Sequence, residues 1–139
     1  MIRGLIMLLA VAMIGGAAYW FLASSGAKAN LCPLDESETA PSGRSVTLCD
    51  VVYEVQPSNE IWAVVRVVDR GLVTNVGHED HDWACNLWGV RAAERDPRPA
   101  RIVVQFMAEP FERGEPAPGI TQSIEAYAIS DDTCQWELL

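Results

Sequence analysis

Hydrophobic positions along the chain change their pattern several times. Leu5 to Ala23 is an unbroken run of 19 apolar residues without a charge. As a helix from Ile2 to Ala23, at about 1.5 Å per residue, it would reach roughly 33 Å, enough for a hydrocarbon core of about 30 Å. A secretory leader has an apolar core of only about 7 to 15 residues. Length therefore predicts a retained transmembrane helix over residues 1–23, in preference to a leader cut after Ala27-Lys28-Ala29. From Ser24 to Arg44 the chain is rich in Ser, Gly, Ala and Pro, carries an acidic cluster and has no periodicity. It reads as a linker, residues 24–44.

Beyond it, Val46 to Val55 is β-rich and ends at the turn-forming Gln56-Pro57-Ser58-Asn59, after which Ile61 to Val68 supplies a second strand of a hairpin. Gly71 to Gly77 is ambiguous between loop and short strand. Glu79 to Trp88 places Trp83, Ala84, Leu87 and Trp88 at helical spacing, with acids in the first turn where the helix dipole favours them. Arg91 to Pro99 reads as a charged loop. In Arg101 to Met107, Ile102, Val104 and Phe106 alternate against Val103, Gln105 and Met107, as a strand requires. The Pro- and Gly-rich stretch Pro110 to Gly119 is a loop, and strands Gln122 to Ser130 and Thr133 to Glu137 flank an Asp131-Asp132 turn. The predicted order is β-β-α-β-β-β. The expected fold class is α+β: a transmembrane helix, then an antiparallel sheet with one packed helix, residues 45–139.

Charge and cysteine usage set the compartment. The chain carries 19 acidic residues against 10 basic ones, for a net charge of −9, and every acidic residue lies past the apolar run. Phosphate binding wants a basic face, so nucleic acid is excluded as a partner class. The acidity serves solubility or attracts a basic protein such as a soluble cytochrome. Cys32, Cys49, Cys85 and Cys134 also lie past the run, an even count that reads as a disulfide framework with three possible connectivities. The C-terminal domain is thus expected in an oxidising space, the periplasm of a bacterial inner membrane, with the N-terminus in the cytoplasm.

Candidate sites are few. Ala12 and Gly16 are spaced as small-xxx-small, and Gly15 widens a smooth patch on which another helix can pack. Tyr19 and Trp20 suit interfacial anchors in the lipid bilayer. His78-Glu79-Asp80-His81-Asp82 holds both histidines, and His78 and His81 could share a helix face with Asp82 or Glu79 around a divalent metal. The spacing is not that of a His-Glu-x-x-His helix, and a solvated helix start explains the same residues, so no metal is expected. The chain has no Cys-x-x-Cys-His, no glycine-rich phosphate loop and no Gly-x-Ser-x-Gly. Trp62, Trp83, Trp88 and Trp136 read as core of a small domain rather than a stacking platform. No cofactor and no catalysis are expected.

Short motifs carry a resemblance: Pro41-Ser42-Gly43 with Val46-Thr47-Leu48, Trp83-Ala84-Cys85, Ile102-Val103-Val104, and Glu125-Ala126-Tyr127 leading to Asp131-x-Thr133-Cys134-x-Trp136-Glu137. In these the chain resembles an uncharacterised family of small exported proteins from purple bacteria, some of which carry a misleading acetolactate synthase label. The family's two recurrent cysteines match Cys85 and Cys134, which implies that this pair is bonded. Cys32 and Cys49 are then an added pair, closing a loop of roughly 17 residues for about 3 kcal/mol at most. The architecture is similar to a single-span accessory subunit of a reaction centre–light-harvesting 1 core complex, an analogy of form only. The resulting expectation is a non-catalytic subunit whose periplasmic head docks on a larger membrane complex, with a photosynthetic pigment-protein core as first candidate. Pro110 to Gly119 and the linker are its expected contact surfaces. The alternatives are an independent periplasmic module for a small ligand or metal, and an accessory subunit of a respiratory complex.

Overall fold

A computed structural model describes residues 30–138. Six strands form one sheet in the order β1 (Glu36–Thr39), β2 (Ser45–Val55), β3 (Ile61–Val68), β4 (Arg101–Met107), β5 (Gln122–Ser130) and β6 (Thr133–Glu137). Every neighbouring pair is antiparallel except β3 and β4, which run parallel with Ala63 opposite Ile102 and Val65 opposite Val104. A parallel pair cannot be closed by a tight turn and needs a crossover of a dozen residues or more. Here the crossover carries α1 (His78–Ala84), a π-helical segment (Cys85–Gly89) and α2 (Val90–Ala92).

Three expectations are corrected. The sheet is mixed rather than antiparallel, the order is β-β-β-α-β-β-β, and the domain is mostly sheet with a short helical crossover rather than α+β. The stretch read as linker contains β1, an edge strand without apolar alternation. The expected transmembrane helix lies outside the described residues, and among those described no helix is long and apolar enough to cross a membrane.

Strands β3 and β4 are buried on both faces, which is why their sequences are nearly continuous apolar runs. One face carries Ala63, Val65, Val67, Ile102, Val104 and Phe106 against the helical crossover. A register shift between Leu48 and Asp50 changes the parity of β2. Val46 and Leu48 before it and Val51 and Tyr53 after it therefore all join this core. On the helical side the buried positions include His81, Ala84, Cys85, Trp88 and Ala92, whereas Leu87, expected on this face, is 40% exposed. At Gly89 the backbone passes so close to β4 that an added Cβ would lie 2.8 Å from Ile102 Cγ2.

The opposite face is closed by the loop after β4. Arg66 is buried among apolar neighbours, donates to Asp50 Oδ2 at 2.9 Å and to the Phe111 carbonyl, and stacks beneath the Phe111 ring. Burial pushes the Asp50 carboxyl up against the opposing pull of Arg66. Arg113 clamps Glu54 at 2.6 and 3.1 Å and reaches Gln105 Oε1 at 3.1 Å. Pro110 to Gly119, expected as a contact surface, is thus a strap over the second face through Phe111 and Arg113.

Edge elements are pinned individually. Glu36 of β1 accepts from Trp88 Nε1 and from Arg91, both at 2.8 Å, and these donors hold its carboxyl below the usual range, Trp88 foremost. Ser42 binds the buried Asp80 through its backbone N–H at 3.0 Å and its hydroxyl at 2.5 Å. Asp131 and Asp132 both take positive φ, 50° and 55°, in the two-residue β5–β6 turn. They are turn residues and not a shared carboxylate site.

Two disulfides are present, Cys32 to Cys49 and Cys85 to Cys134, and no described cysteine is free. The first ties the start of the compact unit, residues 31–139, to the β2 bulge. The second ties the helical crossover to β6. Their sequence separations are 17 and 49 residues. The chain-entropy relation assigns them about 3 and about 4 kcal/mol. Replacing Cys85 and Cys134 together by alanine is expected to lower the unfolding free energy in urea by about 1 kcal/mol more than replacing Cys32 and Cys49. Equal losses, or the reverse order, contradict this placement of the cross-links.

Candidate functional site

The first turns of α1 lie over β5, and polar groups from the two elements converge there. His78 opens α1 and Asp82 follows one turn later on the same side of the helix. The His78 ring faces two carboxylates, with Nε2 3.3 Å from Asp82 Oδ2 and Nδ1 2.7 Å from Glu125 Oε2 on β5. Two positions along β5, in the same side-chain phase, Tyr127 rises out of the core. Its hydroxyl lies 2.8 Å from Asp82 Oδ1 and 2.8 Å from Glu125 Oε2. The Tyr127 ring is fully buried. Burial, then the hydrogen bonds to Asp82 and Glu125, push its phenol far above the usual range, so it stays a donor at every physiological pH.

His81 does not join this cluster as a ligand. It turns into the core, with Nε2 2.9 Å from Ser123 Oγ and its ring edge-on to Phe106 at 4.9 Å. Ser123 Oγ in turn accepts the Val76 N–H at 3.2 Å. Nδ1 of His81 is buried with no hydrogen-bond partner among the described residues. The three-residue spacing that suggested a shared ion in fact splits the pair, because one turn of α1 faces water at His78 and the sheet at His81. Glu125 and Tyr127, some 45 positions away, could not be paired with them from the sequence; only the motif Glu125-Ala126-Tyr127 marked the place.

Beside the cluster is an apolar strip. Trp136 on β6 meets the His78 ring edge-on at 5.4 Å and is 49% exposed. Ile124 and Leu138 are also exposed, and with Glu125, Ala126, Trp136 and Glu137 they line a shallow depression of about 240 Å³. Glu137 is held by Arg101 at 2.9 Å. β6 pairs only with β5, so its outer edge is open. The other tryptophans divide. Trp88 is core, Trp83 packs edge-on against it at 5.2 Å, and Trp62 lies under the Arg101 guanidinium at 4.9 Å. Trp136 alone of these four lies on an open edge. The expected helix-packing residues Ala12, Gly15 and Gly16 and the anchors Tyr19 and Trp20 lie outside the described residues.

A profile described as a family of unknown function, DUF6497, matches residues 21–139. No curated protein and no solved structure matches the chain.

Burial holds the imidazole of His81 below its ordinary value near 6.5, with Glu125 partly opposing. In the unfolded chain that imidazole takes up a proton as pH falls through about 6.5, while in the folded domain it resists until lower pH. Its contribution to stability is therefore complete above pH 6.5 and is lost between that value and the folded one. The unfolding free energy of a His81→Gln variant is expected to depend less on pH between about 6.5 and 5 than that of the parent, by up to 1.4 kcal/mol per pH unit. Superimposable pH profiles from chemical denaturation contradict this.

Proposed function

The chain belongs to DUF6497, a family of unknown function, and from that premise we propose that it is an exported, non-catalytic docking module on a larger membrane complex. The observation that carries this reading is the half-exposed Trp136 on an open sheet edge, beside a depression that the exposed Ile124 and Leu138 also line. A half-exposed tryptophan on an edge strand with one open side is costly to leave in water and apt as an interface anchor. Two disulfides suit an oxidising compartment, and the apolar run at the N-terminus directs export whether it acts as leader or anchor. The periplasm is the compartment this implies for a bacterial chain.

The net charge of −9 favours a partner surface that carries arginine or lysine around the apolar side chain meeting Trp136. The resemblance to exported proteins of purple bacteria makes a reaction centre–light-harvesting 1 core the complex to test first. Native membranes are extracted in mild detergent and separated by size, and the chain is located by mass spectrometry of its peptides. The chain is expected to migrate with a pigmented complex. A Trp136→Ser, Leu138→Ser variant is expected to leave it, because losing about 2 kcal/mol of anchor weakens association roughly thirtyfold. Migration of the unaltered chain alone, or retention of the variant, overturns the proposal.

A further inference from the structure

We propose that His78, Asp82 and Glu125 form a binding site for one divalent cation of the zinc and copper type. The inference rests on their own chemistry and not on the docking reading. Each side chain offers one ligand atom, and the three atoms lie within 4.8 Å of one another. Ligands of a tetrahedral zinc at about 2.0 to 2.2 Å sit some 3.3 to 3.6 Å apart, so small rotations close the set. His78 and Asp82 are half-exposed and free to make them. A mixed imidazole and carboxylate set suits zinc or copper, while calcium and magnesium ask for more oxygens than converge here.

Proton counting within the same cluster points the same way. Four close contacts join the cluster: His78 to each carboxylate, and Tyr127 to each carboxylate. A contact between two such heteroatoms is favourable only with a proton, or a cation, between them. The phenol carries one proton, and the imidazole carries one when neutral and two when charged. With both carboxyls ionised, three protons at most serve four contacts, and the Tyr127 oxygen stands 2.8 Å from two carboxylate oxygens with a single hydrogen to give. A cation held by His78 and the two carboxylates takes over the imidazole contacts and compensates the carboxylate charge, so that the phenol hydrogen has only one of them left to serve. Tyr127, fully buried, then acts as a positioning residue that holds both carboxylates from below. A tetrahedral ion held by these three ligands would keep a fourth position for water or another donor.

The untagged full chain, with both disulfides intact and stripped of metal by a chelator, is dialysed against Zn²⁺, and bound metal is measured by elemental mass spectrometry. One ion per chain is expected. His78→Ala, Asp82→Asn and Glu125→Gln are each expected to weaken binding at least about tenfold, and Tyr127→Phe by a similar or smaller factor. Glu79→Gln and His81→Gln are expected to bind as the parent does, which separates this site from a general acidic surface. Excess Mg²⁺ is expected to leave the zinc in place. No zinc retained at about 100 μM, or equal binding by the His78→Ala, Asp82→Asn, Glu125→Gln triple variant, overturns the assignment. His78 and Asp82 are half-exposed, so their single variants fold and keep the test decisive.

Discussion

The parallel pairing of β3 with β4 is the constraint from which the rest of the domain follows. It buries both strands on both faces and obliges residues 69–100 to cross over the sheet, because parallel neighbours cannot share a hairpin. The crossover takes up the apolar face of the sheet with His81, Ala84, Cys85 and Trp88. Once it is laid down, Trp88 and Arg91 present donors that hold β1 through Glu36, and Cys85 lies where it can bond Cys134 on β6. Both edges of the sheet are thereby fastened to the same helical element. The exposed start of α1 is carried over β5 by that geometry, which sets His78 among Asp82, Glu125 and Trp136.

The electrostatics divide into an interior part and a surface part. Arg44, Arg66, Arg91, Arg101 and Arg113 each meet a carboxylate of the same domain. These pairs close the strap over the second face and the edges of the sheet, so a large share of the positive charge is used internally. The surplus of acids then falls on the surface. A field of one sign steers partners of the opposite sign and keeps the domain soluble.

Strands β2 to β6 were legible in the sequence nearly to the residue, because each carries an apolar or alternating run bounded by turn residues. Their arrangement was not. Alternation in Arg101 to Met107 is the same whether its neighbour runs parallel or antiparallel, and the clue lay in Ala63 to Val68, where both faces are apolar save for Arg66. β1 was invisible because Glu36–Thr39 is wholly polar and is held by a carboxylate rather than by burial. The bulge at Cys49 hid the parity change in β2. At the site, His78 and Asp82 were singled out, but with His81 as their companion, since helical spacing cannot tell which side of a short helix meets the sheet. Glu125 and Tyr127 join the cluster only through the fold.

We propose that the Trp136 edge of this domain is occupied by a subunit of a membrane complex. Placing a photoreactive phenylalanine analogue at position 136, and separately at the exposed Val73 on the crossover loop, and irradiating intact cells tests it directly. The account predicts that position 136 cross-links to a subunit of a membrane complex and that position 73 does not. Identical products from the two positions, or cross-links from 136 only to further copies of this chain, would contradict it.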